Sequence, residues 1–191
     1  RCEIRHVQRV PFPSFLAGLP PGRREVDCDA VLRAVRELVT GLLREAPDCV
    51  GLMMCGQMHG LVLVDEQGQA RSNFISWQDQ RALEPHPGGR GSYYEVLAAQ
   101  LSEWERQLLG SELRPGAPLS FLFWLVESGL QCQRTEVPVS LADFVMASLA
   151  GGPPRVDPTN AAAAGTWNLQ TFEWDHDVLA RLGLDRWRWP Q

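Results

Sequence analysis

Two uninterrupted apolar runs, Val50-Gly51-Leu52-Met53-Met54 and Leu61-Val62-Leu63-Val64, stand six residues apart. Runs this continuous predict strands buried on both faces, and such strands need a sheet covered by helices. Asp65-Glu66-Gln67-Gly68-Gln69 then reads as a hairpin turn, with Gly68 where a positive φ is required, and Asn73 to Trp77 reads as the returning strand. The pattern is that of an α/β protein.

The flanks agree. Cys2, Ile4 and Val7 alternate with polar residues and predict a half-exposed strand over 1–10, followed by a Pro/Gly loop over 11–22. Asp27 or Asp29 can cap a helix whose apolar face is Val31, Leu32, Val35, Leu38, Val39, Leu42 and Leu43. Ser92 can cap a second, bearing Tyr94, Leu97, Leu101 and Trp104. Residues 120–127 are apolar almost all round and predict a deeply packed helix closed by Gly129. Beyond it come a short strand at 138–141, a helix at 143–149, a loop from Asp157, and a last helix from Asp175 to Leu182.

Composition excludes several classes. The chain has 191 residues, enough for one domain, and 45% of them are hydrophobic. A net charge of −5 with scattered arginines disfavours nucleic acid and anionic membranes. No apolar run reaches the roughly 20 residues of a membrane span. Five cysteines, an odd number without a CxxC, fit reduced thiols in a cytoplasmic protein. Cys55 and His59 are four apart, but no second pair completes a zinc site. The chain opens on Arg1 within a strand-like pattern, as a fragment would.

Chemistry concentrates in two stretches: Cys55-Gly56-Gln57-Met58-His59-Gly60 and, seventeen residues on, Trp77-Gln78-Asp79-Gln80-Arg81. A neutral imidazole both donates to and accepts from neighbouring hydroxyls, Met58 offers an apolar contact, and Gly60 permits close approach. Equally, His59 reads as a structural histidine in a tight turn. Asp79 and Arg81 can bind ligand hydroxyls or pair with each other, and Trp77 fits a core position as well as a sugar-stacking one. Asp143 reads as a helix-start residue. Hydrolase nucleophile patterns are missing.

These stretches resemble the Ser-Gly-Gln-Met-His-Gly and Trp-x-Asp-x-Arg motifs of the FGGY carbohydrate kinases, the xylulokinase branch above all. The resemblance continues in order. Asp29 to Leu43 is similar to that family's first long helix, and Pro118 to Val126 to its Lys-Leu-x-Trp-Leu helix. Leu141-Ala142-Asp143-Phe144 with Leu149-Ala150-Gly151 is similar to its Asp-Tyr-x-x-x-x-Leu-Thr-Gly helix. Asp157-Pro158-Thr159-Asn160-Ala161, Trp174, and Leu182-Gly183-Leu184 with Pro190 match later motifs. Cys55 stands for the usual Ser, at a position expected to be buried.

The resemblance implies a ribonuclease-H-like first lobe of the actin and hexokinase superfamily, a mixed sheet flanked by helices. Residues 1–191 would be one partial N-terminal domain, incomplete at both ends. It implies ATP-dependent, magnesium-assisted phosphorylation of a ketose hydroxyl, with D-xylulose the model sugar. Met58 and His59 match the substrate-contacting pair, with Gln57, Gly60, Trp77, Asp79 and Arg81 as site support. The family's Gly-x-Asp-x-Gly-Thr hairpin would precede Arg1 and its catalytic Asp would follow Gln191, so neither a catalytic residue nor a metal ligand is expected here. The isolated chain is expected to be inactive. Sedoheptulose, gluconate, ribulose or glycerol as the sugar, a non-catalytic sugar- or protein-binding module, and assembly as a homodimer all stay open.

Overall fold

A computed structural model describes residues 3–89, 91–129 and 135–190. Its spine is a set of short antiparallel strands. β1 (Glu25–Val26) pairs with β3 (Phe74–Ile75), and β2 (Val62–Val64) pairs with β4 (Val137–Val139) in the register Val62–Val139, Leu63–Pro138, Val64–Val137. A bridge between Leu61 and Ile75 joins the two pairs. Pro138 cannot donate to a ladder, which suits β4 to an edge.

Strand alternation splits the core in two. Leu61, Leu63 and Ile75 face one cluster, while Val62, Val64, Phe74 and Val26 face the other. The first cluster is closed by α2 (Tyr93–Gln100), α4 (Pro118–Glu127) and α7 (His176–Arg181). The second is closed by α1 (Cys28–Glu45) and α5 (Leu141–Ala150). The apolar run 61–64 is thus buried on both faces, as its composition predicts. α3 (Glu103–Leu108), α6 (Pro158–Ala163) and a hairpin of β5 (Trp167–Asn168) and β6 (Glu173–Trp174) complete the chain.

Local chemistry explains the ends. Asp27 accepts from the Asp29 N–H at 3.0 Å to start α1, and Ser92 with Glu95 and Ser102 with Glu105 form full capping boxes. Pro118 opens α4 at its first turn, where its missing N–H costs nothing.

Four expectations are corrected. Residues 3–10 form no strand, and Ile4 and Val7 are exposed. The run 50–54 is irregular, with Val50 and Met53 fully exposed. Among the described residues no strand lies against its backbone, and a lone strand has no ladder to satisfy its amides. Trp104 does not extend the Ser92 helix: that helix ends at Gln100, and Trp104 lies exposed on α3. Asp157 begins a helix instead of a loop, because its carboxylate accepts from the Thr159 and Asn160 N–H groups and Pro158 takes the first helical position.

Candidate functional site

His59 and Gly60 are consecutive left-handed residues, φ 66° and 80°, at the entry to β2. Histidine tolerates that region better than most side chains. At Gly60 a Cβ would stand 2.5 Å from Phe74 Cε2 and 2.8 Å from the Ile75 carbonyl oxygen, so sterics and conformation both demand glycine. The Gly60 N–H donates to the Gly116 carbonyl at 3.2 Å. Gly116 in turn lies so close to Trp77 that a Cβ would be 2.2 Å from the Trp77 oxygen. The loop before α4 therefore binds together the two motifs that the sequence sets seventeen residues apart.

The His59 imidazole is 16% exposed, and its Nε2 lies 3.4 Å from Glu112 Oε2, within ion-pair distance but off a hydrogen-bond axis. The ring also lines a cavity of about 20 Å³, whose polar wall is Ser140, Asp143 and Asn160. That volume holds about one water and no sugar. On the outer side of the turn Gln57 is exposed, Met58 is 59% exposed and Trp77 49% exposed. Trp77 is therefore not a core residue.

Asp79 and Arg81 lie beneath this surface and are both buried. Asp79 accepts from the Arg24 N–H at 2.7 Å, the Arg81 N–H at 2.9 Å, Arg81 Nε at 2.8 Å and Arg81 Nη2 at 2.9 Å. Arg81 Nη2 also meets Glu25 Oε1 at 2.5 Å, and its guanidinium lies 5.2 Å from the Trp124 ring centre. Burial pushes the Asp79 carboxyl up, but the hydrogen bonds from Arg81 and the Arg24 amide outweigh it and hold it below the usual carboxylate range. Of the two readings open for this pair, the structure forms the internal one: they bond to each other and tie the Trp77 turn to β1.

Asp143 shows the opposite balance. Burial raises its carboxyl despite hydrogen bonds from Ser140 Oγ at 2.6 Å and Asn160 Nδ2 at 3.3 Å. Cys55 is exposed, correcting the expectation of a buried position, because the segment that carries it has no neighbouring strand. Cys28 is the buried thiol, pushed up to about 12 by burial, and is inert. Cys2 and Cys132 lie outside the described residues.

Helices pack on both faces of short antiparallel strands, with the tight His59–Gly60 turn at a strand end. A solved gluconate kinase from Lactobacillus acidophilus superposes with a TM-score of 0.71 at 23% identity, over 94% of this chain and 35% of that one. The model of the FGGY family of carbohydrate kinases, N-terminal domain, matches residues 2–191, and the chain belongs to that family. The sedoheptulokinase of Mus musculus is 27% identical over 96% of this chain and 39% of its own length. The xylulose kinase of Bacillus subtilis is 25% identical over 93% of this chain and 34% of its own. The chain thus spans between a third and two-fifths of these relatives.

Sequence reasoning missed Glu112 and Gly116. Pro115-Gly116 reads only as a helix break, and no spacing rule joins position 112 to position 59. The lysine of the Lys-Leu-x-Trp-Leu pattern is also replaced here: Phe121 fills that position, fully buried beside Arg81.

Proposed function

We propose that this chain forms the sugar-binding side of an ATP-dependent carbohydrate kinase acting on a ketose of the D-xylulose kind. Met58 and His59 contact the sugar, and Gln57, Gly60, Trp77, Asp79 and Arg81 support that contact. The observation that carries the reading is the His59 turn: its backbone is fixed by Gly60 and Gly116, and the adjoining Met58 is exposed. Exposed Met58 and Trp77 supply apolar surface of the kind that packs on the carbon faces of a sugar.

Phosphoryl transfer depends on positioning and electrostatics. This segment's part is to hold the sugar so that one hydroxyl is presented for transfer. Among the described residues no group of three or more His, Cys, Asp or Glu side chains could hold a metal ion. Sedoheptulose is the second reading, favoured by the 96% coverage of this chain by the mouse sedoheptulokinase match.

In a full-length kinase carrying this chain, His59→Ala raises the sugar KM roughly 10-fold or more and leaves the ATP KM nearly unchanged. Steady-state kinetics with both substrates varied check this. Equal losses for sugar and ATP would assign His59 a folding role instead. The 191-residue chain alone, with ATP, magnesium and D-xylulose, is expected to give no turnover.

A further inference from the structure

We propose that Glu112 is a positioning residue of the sugar site: its carboxylate fixes His59 in the tautomer protonated on Nε2, which leaves Nδ1 as the acceptor for a sugar hydroxyl. This rests on the sugar-site reading above and adds to it a rule for what the site accepts.

A neutral imidazole carries its proton on one nitrogen, and the partner of the other decides which. His59 Nε2 is a buried nitrogen without a hydrogen bond, and the group 3.4 Å from it is Glu112 Oε2. An ionised carboxylate only accepts. At 3.4 Å a lone pair on Nε2 is repelled by the carboxylate's charge, whereas the positive end of an N–H dipole there is attracted to it. The proton therefore sits on Nε2. Asp143, the carboxylate that lines the cavity beside His59, is committed to Ser140 and Asn160.

Glu112 is held in place by its loop. Gly110 and Ser111 are consecutive left-handed residues, φ 75° and 56°, that turn the chain after α3. The Ser111 N–H donates to the Arg106 carbonyl at 2.7 Å, the Gly110 N–H to Gln107 at 3.1 Å, and Leu113 is buried just beyond. The same loop supplies the Gly116 carbonyl that takes the Gly60 N–H. One loop thus fixes the backbone of the His59 turn through Gly116 and its ring through Glu112. With Nδ1 as acceptor, a hydroxyl at that point of the sugar is bound, while a carbonyl or carboxylate oxygen, which only accepts, is refused.

The test is the histidine ring spectrum of the 191-residue chain labelled with ¹⁵N-histidine, in which one- and two-bond couplings separate the tautomers, followed during titration with D-xylulose. Wild type shows His59 protonated on Nε2. Glu112→Gln keeps this tautomer through its amide oxygen, with sugar affinity within about 2-fold. Glu112→Lys presents only donors, moves the proton to Nδ1 and weakens D-xylulose binding roughly 10-fold. Glu112 is 34% exposed, so neither change disturbs the core. His59 protonated on Nδ1 in wild type, or unmoved in Glu112→Lys, overturns the assignment. If the tautomers behave as stated but D-xylulose shifts no His59 resonance, the pairing stands and the sugar-site reading falls.

Discussion

Asp79 is a buried carboxylate that accepts four hydrogen bonds. All four of its hydrogen bonds come from groups that would be left inside, among them the Arg81 guanidinium. Asp79→Ala leaves that cation paired with Glu25 but takes away its Asp79 partner, and breaking a buried pair from one side costs up to about 3–5 kcal/mol. Urea denaturation measures it, and a loss under 1 kcal/mol would show that the pair is not structural. The two buried carboxyls also respond oppositely to pH. Asp79 has a lowered pKa, so its contribution is present above the ordinary Asp value of about 4 and is lost as pH falls through the folded value. Asp143 has a raised pKa, so the native state holds its proton longer than the unfolded chain does. Its contribution is full below the ordinary Asp value and lost as pH rises through the folded value. Asp143→Asn is therefore expected to remove a decline in stability just above pH ~4, measured as the wild-type-minus-variant difference in thermal midpoint against pH. A flat difference would contradict it.

Among the elements, the loop from Gly110 to Ala117 matters more than its lack of secondary structure indicates. Gly116 sits between two turns with no space for a methyl, since the nearest obstacles are backbone atoms of Trp77 that cannot rotate away. Gly116→Ala is expected to cost about 1–3 kcal/mol, the range for overpacking, and to weaken sugar binding more than the same change at Gly152, where a Cβ meets nothing within 4 Å and φ is not positive. Thermal melts and sugar titrations of the two variants check this, and equal behaviour would refute the clamp. Helices were the legible part of the sequence. The extent of α1, the Ser92 and Asp175 caps and the all-round burial of α4 are local properties, and they stand in the structure where period and capping rules put them, although the α1 stripe is buried only at Val31 and Leu32 and its far end, Leu42 and Leu43, is exposed. Strands were legible only where a partner exists. Val62 to Val64 finds β4, but Val50 to Met54, with equally strand-like composition, finds no partner among the described residues. Ser72 explains why the expected hairpin is partial: its Oγ takes the Leu63 N–H at 2.9 Å, replacing a ladder bond and separating Phe74 and Ile75 from the turn. At the site, His59 and Trp77 were legible as motifs. Glu112 was not, because its link to His59 spans 53 positions of chain and depends on tertiary packing alone.

For the whole molecule, the largest departure from an ordinary domain is exposed apolar surface. Val50, Met53, Ile4, Val7 and Phe12 face outward, and Met54 and Val145 line an apolar groove of about 410 Å³. Among the described residues no helix is long and apolar enough to cross a membrane, so this surface does not belong to a spanning helix. The outward face of the His59 turn lies beside it in sequence, with Gln57 and Met58 exposed between the two. That outward face is where the account places the ketose, and the four methionines provide reporters with a built-in control. Methyl-labelled methionine spectra recorded while D-xylulose is added are expected to show the Met58 resonance moving saturably and Met146, exposed on α5, staying fixed. A Met58 resonance that does not move, or one that moves no more than Met146, would contradict a sugar cradle at this turn.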